Sequence, residues 1–227
     1  MSAGPRNVET IVFDVNETLS DMAPLGAAFA AVGAPEELAA IWFAGILRDG
    51  FAAALTNDNV PFAEIAQDSA ARLLTARRVE DVGDAVASIM GAMQALDVQP
   101  DVMPGIRALR SRAQLVTLSN GATAVARDLF ERAGILDAFT RLLSVEDAPA
   151  WKPAGASYAY AAEVCGTAPE RMLLVAVHPW DIHGAHAAGL RTAWINRDGG
   201  AYPSYLSPPD VEAPDLPGLA ARLDRLG

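Results

Sequence analysis

Four polar sites in this sequence draw attention because each lies beyond an apolar run that reads as a buried strand. Asp14 follows Thr10-Ile11-Val12-Phe13, and Ser119-Asn120 follows Gln114 to Leu118. Lys152 lies a short loop beyond Arg141 to Ser144, and Asp181 closes His178-Pro179-Trp180-Asp181 after Met172 to Val177. Two carboxylates, an ammonium and a hydroxyl form a coherent chemical set. One carboxylate can attack an electrophilic centre, while the cation keeps it ionised and binds a substrate anion. Lys152 is the single lysine among 17 basic residues. Arginine serves equally well at most surface positions, but a compact ammonium whose pKa responds to burial is something arginine does not provide.

These residues can act together only if strands deliver them to one edge of the molecule. Glu9 to Val15 reads as a buried strand of β-branched and aromatic residues ending at a polar turn. From Met22 to Leu96 the pattern becomes alanine-rich with a helical period, broken near Gly33-Ala34-Pro35, Asn57 to Pro61 and Val79 to Asp81. That spacing predicts a bundle of about four helices. Gln99 to Gly105 is a proline-containing return, followed by a helix over Ile106 to Ser111 and a strand over Gln114 to Leu118. Helices at Ala122 to Ala133, Ser157 to Cys165 and up to Ala188 then alternate with strands at Arg141 to Ser144, Met172 to Val177 and Thr192 to Ile195. Pro203 to Pro217 reads as irregular before a last helix, Leu216 to Leu226.

Alternation of this kind predicts an α/β fold: a Rossmann-like, doubly wound parallel sheet of five or six strands with a helical cap inserted after the first strand. Residues 1–19 and 103–227 would form the core domain and residues 20–102 the cap. In open α/β sheets ligands bind beyond the carboxyl ends of the strands, which is where the four polar sites fall.

With 227 residues, 52% of them hydrophobic, the chain can bury a substantial core. A formal charge of −11 argues against nucleic acid or an anionic membrane surface as partner, since both need a basic face. An anionic small substrate would depend on a locally placed cation. Apolar stretches such as Leu115 to Leu118 and Met172 to Val177 are too short to span a bilayer, and Met1 to Asn7 has no signal-like apolar region, so a cytoplasmic location is expected. The lone cysteine, Cys165, is expected to be a buried, inert thiol.

The motifs Asp14 to Thr18, Leu118-Ser119-Asn120-Gly121, Trp151-Lys152-Pro153 and the acidic loop ending at Asp181 fall, at strand ends, in the order of the haloacid dehalogenase superfamily, which the chain resembles along almost its whole length. Most of that superfamily are magnesium-dependent phosphatases. Those enzymes use an aspartate two residues after the nucleophile as general acid and another, four before the last acidic residue, on the metal. Here the two positions are Asn16 and Val177. Asn16 cannot shuttle a proton, and Val177 offers no oxygen to a hard cation.

A halide leaving group needs neither, and Ser119-Asn120-Gly121, Lys152-Pro153 and Trp180-Asp181 are similar to the type II 2-haloacid dehalogenases in particular. The resemblance implies that Asp14 displaces halide to give an ester, that Lys152 holds Asp14 ionised, that Thr18 fixes its rotamer and that Asp181 activates the attacking water. It implies Ser119, Asn120, Asn16, His178 and Trp180 as substrate-binding residues and a small anionic haloacid and halide as ligands, without metal or other cofactor. A homodimer would rest on the resemblance alone. The cap arginine usual in type II enzymes is absent, and Arg48 is the nearest candidate cation. The His178-Pro179-Trp180-Asp181 string resembles relatives associated with small haloacids, fluoroacetate included.

Each residue also has an ordinary structural role. Asp14 and Ser119 are favoured turn and cap residues, Lys152 could be a solvated loop residue, and Trp42 and Trp180 suit a packing seam. Arg48 suits a solvated helix face. His178, His183 and His186 cluster in sequence, but a proline separates the first from the other two, and no cysteine joins them as a metal ligand. Two further readings remain beside the dehalogenase: a magnesium-dependent phosphatase with unusual ligands, and a non-catalytic relative that binds an anion or a partner.

Overall fold

The computed structural model describes residues 8–226. Residues 1–7, expected to lack a signal-like stretch and to belong to the core, lie outside the described residues, as does Gly227. Strand β1 (Thr10–Phe13) pairs in parallel with β2 (Gln114–Ser119) on one side and β4 (Met172–Ala176) on the other. Strands β3 (Arg141–Ser144), β5 (Arg191–Ile195) and β6 (Val211–Ala213) complete a six-stranded parallel sheet in the order β3-β2-β1-β4-β5-β6. Chain order reverses direction across the sheet between β1 and β4. That switch point is where a crevice opens above the strand ends.

Both faces of β1 are covered, which is why its residues form an unbroken apolar run. Ile11 and Phe13 point into a core with α5 (Val102–Leu109), α6 (Thr123–Arg132) and α9 (Leu216–Leu226). Val12 points the other way, into a core shared with α7 (Gly155–Cys165) and α8 (Pro179–Ala187). This second core continues into the cap, made of α1 (Pro24–Ala31), α2 (Leu38–Leu55), α3 (Phe62–Ala76) and α4 (Val82–Gln94). The chain leaves and re-enters the sheet domain through paired segments: Ser20 bridges Val98, and Asp21 N–H donates to the Asp97 carbonyl at 2.8 Å.

Several elements differ from the sequence reading. Helix α5 begins at Val102, so Pro104 lies inside its first turn, where no intrahelical N–H is lost. Strand β6 falls in the proline-rich stretch expected to be irregular; a three-residue edge strand is too short to show alternation. Cys165 is half-buried at the end of α7. Helix α2, with 18 residues and a mean hydropathy of 1.5, is long and apolar enough by composition to cross a membrane, which the short apolar runs did not reveal. It is also the helix that buries Leu38, Trp42, Phe43, Ile46 and Gly50 in the cap and at its seam with the core, and it carries Arg48 and Asp49 in its length.

Contacts between cap and core converge on Trp151, the residue before Lys152. Its ring stacks on Phe62 at 5.9 Å and its Nε1 donates to the Val60 carbonyl at 2.9 Å. Asn59 donates across the same seam to the carbonyls of Val145 and Ala148. A Cβ on Gly50 would lie 2.4 Å from the Trp151 ring, so α2 can approach the loop only with glycine there. Gly50→Ala is expected to destabilise the protein by about 1–3 kcal/mol through overpacking. Gly91→Ala, in α4 with open space around its Cβ, is expected to stabilise it by up to about 1 kcal/mol. Urea unfolding of the two variants checks the opposite signs.

Candidate active site

At the carboxyl end of β1 the backbone leaves the sheet after Asp14 N–H donates to the Val175 carbonyl at 3.1 Å. Asp14 is 3% exposed, and its side chain is satisfied on both oxygens. Lys152 Nζ donates to Oδ1 at 2.9 Å, and Thr18 Oγ1 donates to Oδ2 at 2.7 Å. His178 Nδ1 lies 3.0 Å from the same Oδ2. Thr18 is itself oriented, because its Oγ1 accepts the Val177 N–H at 3.1 Å. Lys152, fully buried, also donates to Asp181 Oδ2 at 2.6 Å, and Tyr158 OH donates to Asp181 Oδ1 at 2.6 Å. Three loops that follow different strands thus meet on one ammonium.

Burial opposes the charge of Asp14, but Lys152 and the protonated partner His178 outweigh it and hold the carboxyl well below the usual carboxylate range. Asp181 moves the opposite way. Burial raises it against the pull of Lys152, and the charge of Asp14 adds to the rise. Two carboxylates on one lysine are therefore pushed apart in acidity, the pattern that separates a nucleophile from a proton acceptor. Burial also opposes the charge of His178, yet hydrogen bonds to Asp14 and to Glu17, whose Oε2 lies 2.8 Å from Nε2, push it up to about 9. Lys152 is likewise raised despite burial, by Asp14 and Asp181.

A family model of haloacid dehalogenase-like hydrolases matches residues 8–189, which include every residue of this cluster. The chain belongs to the haloacid dehalogenase-like hydrolases. It is 30% identical over 218 residues to haloacetate dehalogenase H-2 of Moraxella sp. (strain B), covering 94% of this chain and 97% of that protein. It is 30% identical over 214 residues to the (S)-2-haloacid dehalogenase of Pseudomonas sp. (strain YL), covering 92% of this chain and 91% of that protein. A solved structure of a defluorinating L-2-haloacid dehalogenase matches with a TM-score of 0.82 at 26% identity, over 96% of each chain.

Within this haloacid dehalogenase-like site, Asp14, Thr18, Lys152, His178 and Asp181 come together as described. Ser119, 3% exposed, accepts the Gly121 N–H at 2.9 Å and keeps its own proton free to donate. Asn16 lies beside the same glycine, its Nδ2 3.8 Å from where a Cβ on Gly121 would sit. Asn120, expected beside a leaving halide, grips the Lys152 backbone: Oδ1 accepts its N–H at 3.0 Å and Nδ2 donates to its carbonyl at 3.3 Å. Trp180 stacks on His178 at 5.0 Å, with its ring centroid 5.8 Å from Lys152 Nζ and Phe51 of α2 against its edge.

Arg48 does not join the site. It is 73% exposed and paired with the adjacent Asp49, because its place on α2 faces solvent. His183 is held by Ser207 and His186 is exposed, and no cluster of metal-binding side chains occurs among the described residues. The donor set does not suit a divalent ion either: an ammonium and an imidazolium already occupy Asp14, and position 177 is an apolar valine.

Two site residues escaped the sequence reading. Tyr158 looked like an ordinary helical aromatic, and only packing against α8 aims its hydroxyl at Asp181. A Cβ at Gly184 would come within 2.7 Å of that hydroxyl, so glycine permits the contact. Glu17 sat unremarked inside the first motif; a second acid three residues after Asp14 was the available signal. Glu17 and His178 also line a cleft of about 910 Å³ between the cap and the ends of β4 and β5, with Phe43, Trp194 and Arg197.

The charge of His178 makes a pH prediction. A folded-state pKa of about 9 against an ordinary 6.5 means that its stabilisation is full below about 6.5 and lost as pH rises through about 9. Across that window the wild-type Tm is expected to fall relative to a His178→Gln variant, by the equivalent of up to about 3 kcal/mol. Thermal melts at closely spaced pH values check it, and parallel curves would contradict it.

Proposed function

We propose that the protein hydrolyses the carbon–halogen bond of a small 2-haloacid through an ester on Asp14. The observation that carries this reading is the state of Asp14 itself: buried, ionised and held by Lys152, Thr18 and His178 with no metal ligand set around it. The similarity to proteins named for haloacetate and 2-haloacids supports the substrate class, and the defluorinating neighbour supports including fluoroacetate.

An Asp14 oxygen attacks the carbon bearing halogen. The carbon–halogen bond breaks, and halide leaves with the electron pair, so no proton donor is needed at that step. Lys152 and the free hydroxyl proton of Ser119 receive the substrate carboxylate. Water then adds to the Asp14 carboxyl carbon while Asp181, raised in pKa, takes one of its protons and hands it to the departing hydroxyacid oxygen. Tyr158 and Lys152 hold Asp181 in place for that transfer. The phosphatase alternative is disfavoured by the same geometry, since Asn16 supplies no acid for an alkoxide leaving group.

Chloroacetate, fluoroacetate and 2-chloropropionate are expected to yield halide at rates unaffected by chelator, whereas an aryl phosphate with magnesium yields no phosphate. In a single turnover in oxygen-18 water, mass spectrometry should find the label in the Asp14 carboxylate. Asp14→Asn is expected to lower kcat by a factor on the order of 10³ or more. Phosphate release without halide would sink the proposal.

A further inference from the structure

The two carboxylate oxygens of Asp14 differ in their surroundings. Oδ1 accepts from Lys152 Nζ at 2.9 Å and from no other group among the described residues, which leaves one of its lone pairs free. Oδ2 accepts twice, from Thr18 Oγ1 at 2.7 Å and from His178 Nδ1 at 3.0 Å, so both of its lone pairs are engaged. The oxygen free to attack is therefore Oδ1, and Oδ2 becomes the carbonyl oxygen of the ester. When water adds to the Asp14 carboxyl carbon, negative charge develops on Oδ2. Its two donors already stand within the roughly 2.7–3.1 Å at which a developing oxyanion is stabilised.

His178 can donate there only while Nδ1 carries a hydrogen in the ester state, and its second contact bears on that. Nε2 lies 2.8 Å from Glu17 Oε2. Asp14 and Glu17 both meet the ring as carboxylates, which only accept, so both nitrogens carry hydrogen and the ring is an imidazolium. Phe43 of α2 and Trp180 of α8 flank it at 6.2 Å and 5.0 Å, and neither titrates. Lys152 lies across Asp14, on its other oxygen, while Asp21, Glu36, Glu37, Arg197 and Asp198 line the adjoining cleft. Esterification cancels the charge of Asp14 and leaves Glu17 as the carboxylate bonded to the ring. A neutral ring would keep its one hydrogen on Nε2, toward Glu17, and leave Nδ1 bare. Glu17 is held in place for this contact at a cost, because its φ of +61° is a left-handed conformation that suits glycine. Its N–H donates to Ser20 Oγ and its carbonyl accepts from Arg197.

Resting on the dehalogenase reading, we propose that Thr18 Oγ1 and His178 Nδ1 form the oxyanion hole for hydrolysis of the Asp14 ester, with Glu17 as the positioning residue that keeps His178 charged through that step. Displacement of halide joins the substrate carbon to Oδ1. Water then adds to the carboxyl carbon and gives one proton to Asp181, and the carbonyl electron pair moves onto Oδ2 between the two donors. Re-forming the carbonyl breaks the bond from that carbon to Oδ1, which leaves in the hydroxyacid with the proton from Asp181. The water oxygen, still carrying its second hydrogen, completes the new Asp14 carboxyl group. That proton goes to solvent when product departs. Thr18 and His178 keep their hydrogens throughout.

The test uses full-length protein in excess over 2-chloropropionate, in rapid-quench single turnovers that follow halide release and ester hydrolysis separately across pH. His178→Phe keeps a ring between Phe43 and Trp180 but removes both N–H groups. It is expected to release halide at the wild-type rate or faster, because Asp14 loses a donor that draws charge from the nucleophile. Its ester is expected to hydrolyse on the order of 10²–10³ times more slowly. In Glu17→Gln the alkaline limb of ester hydrolysis, set by His178, is expected to move to lower pH by roughly one unit or more, because an imidazolium without its anion loses its proton more easily. The acid limb, set by Asp181, stays in place. Ester hydrolysis at the wild-type rate in His178→Phe, or halide release slowed as much as hydrolysis, overturns the oxyanion hole. An unmoved alkaline limb in Glu17→Gln overturns the role of Glu17, since a purely structural defect lowers the whole profile without shifting it. If His178→Phe does not fold, the Glu17→Gln profile decides alone. A wild type that releases no halide at all refutes the dehalogenase reading itself, an outcome distinct from a halide burst followed by unaltered hydrolysis.

Discussion

A single buried ammonium organises this molecule. Lys152 lies at zero exposure between Asp14 and Asp181, and a cation taken so far from water would lose its proton or destabilise the fold if either carboxylate were withdrawn. The three residues follow three different strands, so the ion triad forms only when β1, β3 and β4 stand in their observed order and register. A one-residue slip of β1 would turn Asp14 toward the opposite core and leave the ammonium half-paired. Fold and chemistry therefore depend on the same contact.

Everything around Lys152 limits its freedom. Asn120 from the end of β2 clamps its backbone on both sides, and Trp151 just before it is wedged between Gly50 and Phe62 of the cap. Gly184 lets α8 press Tyr158 onto Asp181. The cap thus does more than cover a crevice: its helices brace the loop that carries the lysine. A site held this rigidly suits a reaction whose barrier is lowered by donors already in position.

The overall charge works against the proposed substrate. At −11 the protein repels a small anion at long range, and Glu17, Asp21, Glu36 and Glu37 add to that along the cleft. Attraction must then come from Lys152 and His178 at short range, in the low-dielectric interior where a charge acts most strongly. The imidazolium adds a second buried positive charge beside Lys152, and its dependence on Asp14 means that its hold on that charge follows the state of that carboxylate.

Much of this was legible in the amino-acid order. Buried parallel strands announce themselves as unbroken apolar runs, and a functional residue that ends such a run inherits a known position, so Asp14, Ser119, Lys152 and Asp181 could be placed before any coordinates. Four cap helices were visible through the breaks between them. The solitary lysine drew attention because composition elsewhere favours arginine. What sequence left open were contacts between residues distant along the chain: Tyr158 on Asp181, Glu17 on His178, Asn120 gripping the Lys152 backbone and Arg48 turned to solvent. Strand ends are set by local pattern, which periodicity records. The direction of a side chain on a helix or loop is settled by what packs against it, and that is decided only when the tertiary structure closes.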